Sequence, residues 1–184
     1  MNERFYERRT RLGLIVLVAL TLLFLVWPLY RTFLKIEIDT NEGWNAYFAD
    51  AALGRMPLYP EADLLITNNY PPLSFYVVGG VGNLLQDKIL AGRLLSLLSI
   101  GIITLNIALS IRQLGGTAQA SWLGSFFYAA TMLRFFTCYA GMNDPQLLAH
   151  AIMSFGFVLF LRARNLNSSL VWPVLIMVVA GFFK

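Results

Sequence analysis

The sequence predicts an all-α membrane protein with four complete transmembrane helices, a fifth begun, and interfacial helices in one long outer loop. Three observations predict it. The chain is 58% hydrophobic and 13% charged, where a soluble domain would carry about a quarter charged residues. Its apolar residues come in long blocks. Its arginines cluster where those blocks begin and end, on one side of a membrane if the blocks alternate in direction.

The first block follows an arginine-rich start, MNERFYERRTR, with Arg4, Arg8, Arg9 and Arg11. Residues 12–30 carry no charge, and 19 helical residues rise roughly 28 Å, enough to cross the hydrocarbon core. A signal peptide would have an apolar region of about 7–15 residues and a small-residue cleavage site. This run is longer and ends WPLYR, so it reads as an uncleaved span whose arginines hold the N-terminus in the cytoplasm.

Residues 31–88 form the outer loop. They hold seven of the chain's ten acids, Glu37, Asp39, Glu42, Asp50, Glu61, Asp63 and Asp87, against four bases. Asn41–Arg55 has helical spacing, with Thr40 or Asn41 able to cap its start and Gly54 to end it. A proline-marked stretch follows, then Leu73–Leu85, apolar but too short to span and read as an interfacial helix. Further spans are expected at about 89–111, 119–139, 145–161 and 170–184. Arg112, Arg162 and Arg164 fall on the cytoplasmic side with the N-terminal arginines, so the positive-inside rule agrees at three separate ends. The chain stops at VVAGFFK while still apolar, as expected of the N-terminal part of a longer protein.

Charge and cysteine content narrow the class. The net charge of +4 resides in clusters flanking apolar blocks, so it reports topology and not nucleic-acid binding. A single Cys138 excludes an intramolecular disulfide and a cysteine-based zinc cluster; it reads as a packing residue.

The polar residues that need explaining collect on the outer side. Asp39 and Glu42 lie just beyond span one, Asp144 opens span four, and Arg93 and Arg134 lie near the outer ends of spans two and three. A charge at membrane depth costs about 2.5–3.5 kcal/mol on insertion scales, so each is a candidate for function. Each also has a structural reading. Asn143-Asp144-Pro145 is a strong helix start, Glu42 complements the positive end of the 41–54 helix, and Asp39 could be a solvated loop acid. The arginines could snorkel to lipid phosphates, the favoured reading for Arg134. His150 reads as a packed, hydrogen-bonded histidine, and Trp27, Tyr30 and Trp44 as an aromatic belt. Acids and bases converging at one depth under a loop favour chemistry. A carboxylate can deprotonate a hydroxyl while cations, or a metal, stabilise a leaving phosphate.

The segments DTNEGWNAYFADAALGRMPLYP, NNYPPLSFYVVGGVG, AGRLLSLLS, RFFTCYAGMNDPQLLAHA and GFFK, in that order, resemble the N-terminal third of polyprenyl-phosphate-sugar-dependent membrane glycosyltransferases of the GT-C fold. These include protein mannosyltransferases, aminoarabinose transferases and bacterial enzymes that add galacturonate to lipopolysaccharide core. The resemblance covers nearly the whole chain, so residues 1–184 would be part of a single transmembrane domain. It implies a multi-pass protein of the bacterial inner membrane with loop 31–88 in the periplasm. The implied activity is inverting transfer of a sugar from a polyprenyl-phosphate donor to a lipid, glycan or protein acceptor, with membrane lipids as neighbours and no nucleic acid.

The family's catalytic acidic pair corresponds to Asn41-Glu42. Its Asp-Glu is Asn-Glu in this chain, so Glu42 is the expected catalytic carboxylate and Asp39 the second choice. The family's later acid corresponds to Asp144. Tyr70 stands where the family has a lysine that helps bind donor phosphate, and the resemblance gives that phosphate to Arg93, Tyr70 and Lys184. It leaves room for a divalent metal, with Asp144 and Glu42 as ligands. Two other classes compete: a transporter-like protein, and an assembly subunit or inactive fragment. A transporter would carry charges through mid-membrane, whereas here they gather at one face and spans one, four and five have uncharged middles.

Overall fold

The computed structural model describes the backbone of residues 3–61 and 65–184 and side chains from Glu7 onward. Asp63, counted among the loop's acids, and the side chain of Arg4 lie outside the described residues. Among the described residues there are seven α-helices and no strand: α1 (Glu3–Thr32), α2 (Thr40–Asp50), α3 (Leu73–Leu85), α4 (Lys88–Gln113), α5 (Ala118–Phe135), α6 (Gln146–Asn165) and α7 (Val171–Ala180).

Among the described residues three helices are long and apolar enough to cross a membrane: Glu7–Thr32 within α1, α4 and α6. Only 11% of the most apolar stretch of α1 is buried inside the protein, so most of that surface needs lipid around it. Helix α5 has 18 residues, diluted by Gln119, Ser121, Ser125 and Arg134, and α7 has 10. Helix α5 ends at Phe135, short of the expected Tyr139. Arg31 of α1 explains the stop, because its Nη2 donates to the carbonyls of Thr137 and Ala140. Gly141 then turns the chain back at φ +74°. Cys138, expected to pack, is exposed on this turn.

The helices run so that like ends gather. The start of α1 lies beside the start of α5, Gly13 facing Leu123, and Asn165 at the end of α6 donates to the Gln113 carbonyl at the end of α4. This arginine-rich end carries Arg8, Arg9, Arg11, Arg112, Arg162 and Arg164. The opposite end brings together the end of α1, α2, α3, the start of α4, the 136–145 turn and the C-terminal residues.

Between helices in lipid, apolar contact gains little over lipid contact, so close approach and polar bonds decide packing. Ile100 and Ile103 of α4, Leu133 of α5 and Leu147 and Ala151 of α6 form the buried centre. Asn106 of α4 donates to Ser154 Oγ at 2.9 Å and to the Ala151 carbonyl of α6. Gly156 lets α7 approach, since a Cβ there would lie 2.7 Å from Met177 Cγ. At the acid-rich end α2 and α3 form a cap whose core is Phe48, Ala51 and Phe75. Helix α2 continues as a π-helical turn through Arg55, where Gly54 breaks it at φ +86°. The expected short apolar helix is present with its expected limits, Leu73–Leu85.

Candidate functional site

The site begins with the start of α2. Asp39 is its N-cap and accepts the Asn41 N–H at 2.9 Å, in place of the expected Thr40 or Asn41. Glu42 occupies the third helical position and folds back to accept the Ile38 N–H at 2.7 Å, close to the geometry of a capping box. That turn points the Glu42 carboxylate inward, where it is 0% exposed.

Arg93 rises from the first turns of α4 to meet it. Its Nε donates to Glu42 Oε1 at 2.8 Å and Nη2 to Oε2 at 2.6 Å, a two-pronged pair of the kind that guanidinium and carboxylate planes favour. Nη2 also donates to the Ile36 carbonyl at 2.6 Å, and Nη1 to that of Leu34 at 2.6 Å and those of Arg31 and Thr32 at 3.2 and 3.3 Å. The Arg31 and Thr32 carbonyls lie in the last turn of α1, where backbone partners run out. The Arg31 carbonyl also accepts the Leu34 N–H at 3.1 Å, and Arg93 supplements that turn while anchoring another helix.

Asn143 completes this cluster. Its N–H donates to Glu42 Oε1 at 3.0 Å, its Nδ2 to the Glu42 carbonyl at 3.1 Å, and its own carbonyl accepts Asn45 Nδ2 at 2.7 Å. Gly92 makes room for it, because a Cβ at Gly92 would lie 2.6 Å from Asn143 Cβ and overlap the amide beyond it. Burial, the largest single influence, would push the Glu42 carboxyl up, and the Arg93 hydrogen bonds alone do not offset it. With the Ile38 and Asn143 N–H groups and the Arg93 charge, they hold it below its ordinary value. A carboxylate already accepting four hydrogen bonds has no lone pair facing a substrate.

One residue along the chain stands a second, more open pair. Asp144 Oδ1 caps α6 by accepting the Gln146 N–H at 2.8 Å. Its Oδ2 takes Lys184 Nζ at 3.2 Å, with the lysine side chain 23% exposed and the aspartate 5%. Lys184 Nζ also lies 3.7 Å from the centre of the Tyr70 ring, and that ring stacks on Phe75. The Leu73 N–H donates to the Phe182 carbonyl at 3.1 Å, so the loop and the C-terminal turn are tied together next to the pair.

The expected site residues thus divide. Tyr70, Asp144 and Lys184 come together; Glu42 and Arg93 come together and consume each other; Asp39 is an exposed cap. Arg93, expected at a donor phosphate, spends its donors within the chain. A metal held by Asp144 and Glu42 does not fit, since Glu42 is saturated by protein donors. Among the described residues no three His, Cys, Asp or Glu side chains gather where they could hold an ion. Arg134 lies over the Phe135 ring, and His150 is exposed beside Gln146.

No known protein family, curated protein or solved structure matches the chain. The chemistry of the site rests on its own geometry: a buried, satisfied Glu42–Arg93 clasp and, beside it, a carboxylate–ammonium pair with an open side. Sequence reasoning does not single out Asn143, Asn45 or Arg31 as partners. The signal for Asn143 is its place beside Asp144 in GMNDPQ; Asn45 and Arg31 carry none.

Proposed function

We propose that this membrane protein is a glycosyltransferase. It moves a sugar from a polyprenyl-phosphate donor to a lipid, glycan or protein acceptor at the outer, acid-rich face of a bacterial inner membrane. In this reading the N-terminus is cytoplasmic, α5 is a fourth crossing, and α7 begins a fifth. The observation that carries it is the Asp144–Lys184 pair over the Tyr70 ring, one acid and one base with unlike tasks at a membrane surface.

The acceptor hydroxyl attacks the anomeric carbon as the bond from that carbon to the phosphate oxygen breaks. Asp144 takes the hydroxyl proton, and the phosphate leaves with the bonding electrons toward Lys184. The two groups neutralise each other at rest. A donor phosphate competes for the lysine and frees Asp144 Oδ2 to act as base, so binding and activation are linked. The role moves from Glu42, favoured on sequence, to Asp144, because Glu42 serves the clasp. One other reading has an observation behind it: a non-catalytic multi-span protein, favoured by the complete internal use of Glu42 and Arg93.

The test is release of polyprenyl phosphate from a panel of polyprenyl-phosphate hexose, hexuronate and pentose donors, in liposomes containing the purified protein. Asp144→Asn and Lys184→Met are expected to slow release by roughly 10²–10⁴, with Asp39→Asn near wild type. Wild-type rates in Asp144→Asn would remove the catalytic assignment. No release above protein-free liposomes with any donor would favour the non-catalytic reading.

A further inference from the structure

The arginine-rich end holds a cleft that the proposed chemistry leaves unused. It has a volume of about 240 Å³ and lies between α4 and α5, lined by Leu105, Ala108, Leu109, Arg112, Ser121 and Trp122. Its composition is graded. The exposed Leu105 and Leu109 carry it along the outer surface of α4 toward the middle of that helix, with Ala108 and Ser121 buried at its floor. At its mouth the last turn of α4 supplies Arg112 and the first turns of α5 supply Trp122.

Arg112 is exposed, and its Nη1 donates to the Gly116 carbonyl at 2.8 Å across the turn. Among the described residues no carboxylate lies within ion-pair distance of it. Residues 88–184 contain one acid, Asp144, and it is at the opposite end of the bundle. The charge at the cleft mouth therefore has no ion-pair partner among the described residues. Trp122 is 43% exposed, placed at the helix end where indole rings sit at headgroup level.

We infer that this cleft is a binding site for an anionic glycerophospholipid of the leaflet at the arginine-rich end. Arg112 meets the headgroup phosphate, Trp122 lies along the glycerol region, and an acyl chain runs over Leu105 and Leu109. Charge complementarity selects the occupant: a zwitterionic lipid brings its own cation to the arginine, whereas an anionic one does not. Arg162 and Arg164 are exposed near the end of α6 or its last turn but do not line this cleft, so they add to the field and not to the site. The assignment is independent of whether the opposite face performs glycosyl transfer.

The experiment reads Trp122 directly. A single-tryptophan protein (Trp27→Phe, Trp44→Phe, Trp172→Phe) is placed in liposomes where brominated phosphatidylglycerol or brominated phosphatidylcholine replaces the unbrominated lipid stepwise. The anionic lipid is expected to quench at a mole fraction roughly fivefold lower than the zwitterionic one. Arg112→Gln removes the difference, Arg112→Lys keeps part of it, and Arg164→Gln leaves it intact. Equal quenching by both lipids, or a preference that survives Arg112→Gln, overturns the site. If the triple substitution does not fold, native mass spectrometry of protein with all its tryptophans decides the same question. There, phosphatidylglycerol retained over phosphatidylcholine must fall on Arg112→Gln, and retention unchanged by that substitution overturns the site.

Discussion

Arg93 of α4 and Glu42 of α2 meet side on, Nε 2.8 Å from Oε1 and Nη2 2.6 Å from Oε2, across 51 residues of sequence. Neither is exposed beyond 1%. The same guanidinium holds four carbonyls of the 31–36 turn, so one side chain joins α1, α2 and α4.

Removing either charge is expected to destabilise the acid-rich end by about 3–5 kcal/mol, because the other is left buried and unpaired. Glu42→Leu/Arg93→Met should lose less than the sum of the two single changes. Arg93→Lys should behave nearly as badly as Arg93→Ala, since an ammonium cannot form the two-pronged pair and reach the carbonyls as well. Protease cleavage within residues 55–72, followed against urea, measures each; additive losses would mean that the pair is not coupled.

Acid should act through the same carboxylate. Its folded value lies below the ordinary one of about 4.5, so its contribution is fully present above that pH and is lost as the pH falls through the lower, folded value. Resistance of the loop to an acid-tolerant protease should be flat from about pH 7 to 5 and decline below about pH 4. Glu42→Gln should lose that dependence. A wild-type decline already complete at about pH 5 would contradict the sign.

Gly92→Ala tests the fit of Asn143. The added Cβ would lie 2.6 Å from Asn143 Cβ, forcing the amide off Glu42 at a cost of about 1–3 kcal/mol. Gly101→Ala on the same helix, with nothing near its Cβ, should be neutral or stabilising. A thermal shift assay in detergent that ranks the two the other way would refute the packing.

Tyr70 should matter as a ring. Tyr70→Phe keeps the face beneath Lys184 and should leave donor turnover within about twofold of wild type, an attraction of roughly 0.5–2 kcal/mol being retained. Tyr70→Leu removes it and should raise KM for donor more than it lowers kcat. Equal loss in both variants would transfer the role to the hydroxyl.

Much of the fold is legible where a local cause sets it. Leu73–Leu85 is bounded by two prolines and by the left-handed Gln86, and its limits can be read to the residue. Three adjacent residues of DTN can all cap a helix, so spacing does not choose among them; the choice of Asp39 follows the inward fold of Glu42. The end of α5 is hidden because Arg31, 106 and 109 residues away from the carbonyls it takes, sets it. The charges at the acid-rich face stand out by depth alone. Depth does not say which acid answers which base, and the pairing of Glu42 with Arg93 leaves Asp144 and Lys184 a site of their own.

The clasp also has a place in time. Glu42 is synthesised 51 residues before Arg93, so its carboxylate is in the chain before the guanidinium that it pairs with. An arginine at membrane depth costs about 2.5–3.5 kcal/mol, and the carboxylate and carbonyls that offset that cost here all precede it in the chain. Every group that Arg93 binds is made before it, so the clasp cannot close until α4 has joined the chain.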